Sequence, residues 1–164
     1  MFKHSLSQVR RLPNERNDCS VVALSIAFNK PYEEVHKWLA TKGRPPRKGL
    51  HLEKALGIAD ALWQPPNIPK YTHLWGKDLA FTKLPYWEYE RTLISKTACY
   101  DEDNEVYWKW KWSPRINVKQ WLKTHMQGTF LVFVRGHVFC VKDGVMWDWK
   151  NPQWCEIRST IEIL

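Results

Sequence analysis

From Cys19 onward apolar positions crowd together. Val21, Val22, Leu24, Ile26, Ala27 and Phe28 cover nearly the whole circumference of a helix. The pattern predicts a helix from Cys19 to about Asn29, buried on most sides. Asn29-Lys30-Pro31 ends it. Pro31 suits the first turn of a second helix, reaching about Thr41, with Glu33 and Glu34 at its positive end. Val35, Trp38 and Leu39 are its apolar stripe, and the two helices form a hairpin. Lys42 to Gly49 is a basic loop broken by Pro and Gly. Leu52 to Ala61 reads as a third helix with Leu52, Ala55, Leu56 and Ile58 inward. Gln64 to Lys70 holds three prolines and is expected to be an extended connection.

Further on the period changes. Tyr71, Trp75, Phe81, Tyr86, Trp87 and Tyr89 follow no clean period, and Asp101 to Asn104 is a turn. Val106 to Trp112 alternates, with Trp108, Trp110 and Trp112 on one face and Lys109 and Lys111 on the other, which predicts a half-buried strand. Asn117 caps a helix running from Val118 to about Met126, with Trp121 and Leu122 inward, and Gly128 ends it. Thr129 to Val134 is apolar on both faces and is predicted to be a central strand. His137 to Val141 and Val145 to Trp149 flank Asp143-Gly144, a strong hairpin signal. Ile157, Ile161 and Ile163 mark a last strand, expected at an edge. These readings give a single α+β domain over residues 1–164. Its parts are a helical region at about 14–62, an aromatic-rich insertion at about 63–113, and a helix plus antiparallel sheet at about 117–164.

Composition changes this picture little. The chain has 164 residues, a net charge of +8, a pI near 9.4 and a mean hydropathy of −0.52. Eleven Trp supply bulky rings enough for a core in spite of that hydropathy. The positive charge favours an acidic protein or peptide partner, or nucleic acid. The Trp/Lys strand would suit base stacking. Cys19, Cys99, Cys140 and Cys155 form no C-x-x-C pair, and the first residues lack the apolar core of a signal peptide. With no long apolar segment, the expectation is a cytoplasmic protein with free thiols and no membrane contact. His4, His36, His51, His73 and His125 show no metal-ligand spacing, and there is no glycine-rich phosphate loop, so no cofactor is expected.

The chemistry gathers at three residues. Asp18 is a candidate N-cap, which makes Cys19 the first helical position, where unpaired N–H groups and the helix dipole stabilise a thiolate. If Asp143 and Gly144 are the two loop residues, Lys142 faces Val145, Val141 faces Met146 and Cys140 faces Trp147. His137 and Asp148 then become diagonal neighbours on one face, within reach of a hydrogen bond. A one-residue slip would make Asn151 the partner instead. A carboxylate behind an imidazole orients it, and an imidazolium beside a cysteine activates the thiol. Gly136 leaves room for a substrate backbone. Cys140, on the opposite strand face, reads as core.

Asn17-Asp18-Cys19 followed by an apolar helix and Pro31-Tyr32-Glu33-Glu34-Val35, with Gly128-Thr129-Phe130, Gly136-His137-Val138 and Asp143-Gly144 later, resembles the papain-like cysteine peptidase superfamily. Within it the sequence is most similar to the C39-like branch and to small peptidase-like proteins of phages. The resemblance covers roughly residues 14–58 and 117–150. It implies Cys19 as nucleophile, His137 as general base and acid, and Asp148 as the orienting residue of a thiol protease. For a phage protein it implies the host cytoplasm. One position departs from the pattern: the glutamine that such enzymes place about six residues before the cysteine is Pro13 here. Asn14 and Asn17 are the nearby candidates for the second oxyanion donor, beside the Cys19 backbone N–H. The rival readings are a papain-like binding protein without catalysis, engaging a host protein or nucleic acid, and an acyltransferase or deamidase using the same three residues. For the hydrolase, Arg44 to Lys48 and the aromatic segment are expected to form the walls that select substrate.

Overall fold

A computed structural model describes residues 2–3, 15, 17–58, 70–84, 93–100, 103, 106–112, 116–148 and 151–164. The fold is α+β. Nine strands and four helices are described: β1 (Phe2–Lys3), α1 (Cys19–Phe28), α2 (Tyr32–Thr41), α3 (Leu52–Ala55), β2 (Lys70–Leu74), β3 (Lys77–Lys83), β4 (Leu93–Tyr100), β5 (Val106–Trp112), α4 (Val118–Leu122), β6 (Thr129–Val134), β7 (His137–Lys142), β8 (Val145–Trp147) and β9 (Ile157–Ile163). Seven strands form one sheet in the order β1-β8-β7-β6-β9-β3-β2, antiparallel except for the β1–β8 pair. β4 and β5 form a separate two-stranded sheet.

The apolar run of β6 has a structural cause. Leu131 and Phe133 join one core with α1, α2 and α3, whereas Phe130, Val132 and Val134 join another with α4. A strand between two cores must be apolar on both faces. α1 is the most enclosed helix, with Ser20 to Ser25 and Ala27 all buried. It ends at Asn29, whose φ of 52° and ψ of 43° place it in the left-handed region that closes a helix. α2 begins one residue later than expected. Pro31, at ψ 140°, precedes the helix, and Tyr32 takes the first helical place. α3 is one turn long instead of ten residues; Leu52, Leu56 and Ile58 still face inward, while Ala59 to Ala61 lie outside the described residues, as does most of the proline-rich connection. α4 is shorter than expected too. Its start is fixed by a capping box in which the Asn117 side chain accepts from the Gln120 N–H at 2.9 Å and Gln120 accepts from the Asn117 N–H at 3.0 Å.

Three expectations about the sheet are corrected. β9 is not an edge strand but lies between β6 and β3, and its Ile157, Ile161 and Ile163 are buried. Part of the supposed insertion belongs to the main sheet: β3 pairs with β9, and Leu79, Ala80 and Phe81 are core residues. The first residues also contribute a strand where none was expected, β1, which adds to β8. β5 forms where alternation predicts it, with Trp108 opposite Ala98 and Trp110 opposite Lys96. The placement of its tryptophan and lysine side chains lies outside what the structure describes.

The β7–β8 hairpin positions the candidate site. Asp143 (φ 49°) and Gly144 (φ 71°) are both left-handed, as a type I′ turn requires. The ladder is Lys142 to Val145, Val141 to Met146 and Cys140 to Trp147, the register anticipated from the two-residue loop. β8 stops at Trp147, so Asp148 directly follows the strand.

Candidate functional site: a cysteine, a histidine and an aspartate

Cys19 is the first residue of α1. The carbonyl of Asp18 accepts the first helical bond, from the Val22 N–H at 3.0 Å. The Asp18 carboxylate does not cap the helix as expected. It is fully buried and accepts a hydrogen bond from the Tyr32 hydroxyl at 2.9 Å, tying the start of α1 to α2. Burial and this bond push the Tyr32 phenol well above its ordinary range.

His137 opens β7, which packs against α1. Its Nε2 lies 2.7 Å from Asp148 Oδ2, with the side chains only 9% and 1% exposed. Engagement of Nε2 leaves Nδ1 for the hydrogen bond between His137 and Cys19. The sulfur also meets the backbone N–H groups of Val138 and Ser20. Burial works against a thiolate at Cys19, but the His137 hydrogen bond, the Val138 N–H and the His137 charge outweigh it, and the pKa falls below the ordinary thiol value. Burial likewise works against a charged His137. The hydrogen bonds to Asp148 and Cys19 and their charges reverse that and raise it to about 9. Both shifts favour one state, a thiolate–imidazolium pair backed by a carboxylate.

Neutralising Asp148 tests this electrostatic account. Asp148→Asn keeps the size and removes the charge, so the His137 titration followed by NMR will move down from about 9 toward the ordinary histidine value of about 6.5. A group whose folded pKa is raised stabilises the fold below its unfolded pKa and loses that contribution as pH rises through the folded one. In the native chain the lowered Cys19 pKa acts in the opposite sense, so the slope is read in Cys19→Ala, where urea midpoints will fall as pH rises past about 6.5 and will fall less when Asp148→Asn is added. An unchanged His137 titration in the variant would refute the pairing.

Cys19 and His137 border a cleft of about 520 Å³, and Asp148 holds His137 from outside its lining. Asn17 lies on it, exposed, with a φ of 52° that turns the chain into the helix. Its amide is one side-chain donor on the cleft, which His51 and Arg158 also border, beside the Cys19 N–H; Asn14 lies outside the described residues. The expected wall of Arg44 to Lys48 is corrected. Arg44 is buried, its Nη2 2.8 Å from Glu15 Oε2, and the cleft is bordered by Gly49, Leu50 and His51 instead. Sequence reading missed His51, Glu53 and Arg158. Arg158 reaches the cleft only because β9 is central, a consequence of strand order that no local pattern carries.

The other cysteines stand apart. Cys140 is buried in the α1 core, with its thiol pushed up to about 12 by burial. Cys155 is exposed, and all four thiols are free. Among the described residues no group of three or more His, Cys, Asp or Glu is placed to hold a metal ion, and no helix is long and apolar enough to cross a membrane. Compared with protein-family models, curated proteins and solved structures, the chain matches none.

Proposed function

We propose that the chain is a cysteine hydrolase of papain-like architecture that cleaves a peptide or isopeptide bond through a thioester. The observation that carries this reading is the hydrogen-bonded series Cys19–His137–Asp148 at the start of α1. The Cys19 thiolate attacks the scissile carbonyl carbon, and the oxyanion meets the Cys19 N–H and the Asn17 amide. His137 gives its Nδ1 proton to the leaving amine as the C–N bond breaks, leaving an acyl thioester. Neutral His137 then takes a proton from water, hydroxide adds to the thioester, and the acid leaves as Cys19 is regenerated. Asp148 keeps the imidazole oriented throughout. Under this reading we propose a host cytoplasm as the compartment, in keeping with the sequence's similarity to phage proteins.

The test is a peptide library incubated with the native chain and read by mass spectrometry. New N-termini absent with Cys19→Ala are the expected result. Deamidated glutamines or amide exchange without new termini would assign the same thioester to a deamidase or acyltransferase. A second reading, a binding protein, draws on the β4–β5 sheet, which pairs with no other strand among the described residues and carries alternating Trp and Lys in β5. A biological effect that survives Cys19→Ala would select it over the hydrolase.

A further inference from the structure

The cleft beside Cys19 holds a carboxylate that the proposed reaction does not use. Glu53 is the second residue of α3, a turn held in place by buried Leu52, Leu56 and Ile58. Its side chain is half-buried and borders the same cleft as Cys19 and His137. It forms no ion pair among the described residues. It accepts a hydrogen bond from its own backbone N–H, and His51 and Arg158 act on it only through space. Burial dominates these effects and raises its pKa above the ordinary carboxylate range. A carboxylate shielded from water without a close cation is costly to keep charged. Such groups in a cleft mark places where a ligand supplies the missing partner.

We infer that Glu53 forms a subsite for a basic side chain, the ammonium of lysine or the guanidinium of arginine, next to the bond that Cys19 attacks. The inference rests on the hydrolase reading of Cys19 and adds the substrate class. It also separates two scales of charge. The net +8 attracts acidic partners at long range, whereas the cleft itself presents a half-buried carboxylate, Glu53. Selection at the site is therefore for a local basic residue, which can belong to a substrate that is acidic elsewhere.

The experiment uses the full chain and peptidyl acyloxymethyl ketones that alkylate Cys19, identical except for lysine, norleucine or glutamate at either of the two positions before the ketone. Lysine probes at one position will react at least about tenfold faster than norleucine probes, and glutamate probes slower than both. Glu53→Gln, which keeps shape and removes charge, will erase the lysine preference. It will leave the rate with iodoacetamide unchanged, because that small reagent does not reach the subsite. Equal rates for lysine and norleucine, or a preference that survives Glu53→Gln, would overturn the subsite. Iodoacetamide labelling of Cys19 no faster than that of exposed Cys155 would overturn the activated-thiol reading itself, and the subsite with it. The two failures are thus distinguishable.

Discussion

His137→Ala will strip Cys19 of its reactivity at mildly acidic pH. In the native chain the thiol pKa is lowered against the effect of burial, and the His137 hydrogen bond and charge are the main lowering causes. With the imidazole gone, only the Val138 and Ser20 N–H groups still oppose burial, and the thiol rises toward its ordinary value of about 8.5. At about pH 6 such a thiol is ionised to roughly 0.3%, and each unit by which the native pKa lies lower multiplies the thiolate fraction about tenfold. Alkylation by iodoacetamide, followed by intact mass and peptide mapping, will show Cys19 outpacing Cys155 in the native chain and losing that lead in His137→Ala. Turnover of any cleaved peptide will fall further, by about 10²–10⁴, because the proton donor for the leaving amine is lost as well. His137→Gln, with a side chain of similar bulk, controls for packing against Phe139, whose ring stacks on the imidazole at 6.0 Å. Equal Cys19 labelling in native and both variant chains would remove the basis for a thiolate–imidazolium pair.

Much of this site was legible because its positions follow from short-range rules. Cys19 lies where a polar turn meets an apolar helix, and the structure starts α1 there. The His137–Asp148 contact follows from one turn: Asp143-Gly144 fixes a two-residue loop, the loop fixes register, and register sets which side chains share a face. β6 was readable as central from its apolar run. What was not legible depends on distant pairings. β9 alternates less sharply than an edge strand, with Ser159 and Thr160 buried in it, because β3 covers its far side. β3 itself has only a short apolar core between lysines, so its strand character comes from β9 and not from its own sequence. The role of Asp18 was misjudged for the same reason. A local rule makes it a cap, but Tyr32, fourteen residues on, claims its carboxylate.

Arg44→Met will destabilise the fold by about 3–5 kcal/mol, because it leaves a buried carboxylate behind. The side chain of Arg44 is 1% exposed and that of Glu15 is 9% exposed. Glu15 reaches Arg44 through one oxygen at 2.8 Å and His36 through the other at 3.2 Å. His36 stacks on Tyr32 at 5.9 Å, and Tyr32 holds Asp18, the residue before Cys19. The group therefore braces the approach to α1 rather than lining the cleft. Burial pushes the Glu15 pKa up, but the Arg44 and His36 hydrogen bonds and charges outweigh it and hold it below the ordinary range. A depressed folded pKa contributes stability above the unfolded value, about 4.3, and that contribution disappears as pH falls through the folded one. Urea melts will thus show native stability dropping at acid pH, while Arg44→Met, already weak at neutral pH, will gain relative to it as Glu15 takes up a proton. The double variant Glu15→Gln with Arg44→Met separates loss of charge from loss of volume. It will recover most of the neutral-pH loss, since neither charge is then stranded. A double variant no more stable than Arg44→Met alone would assign the effect to packing of the arginine stem. If the brace positions Cys19, the single variant will also label more slowly with iodoacetamide under conditions where it remains folded, and the double variant will regain that rate in step with its stability.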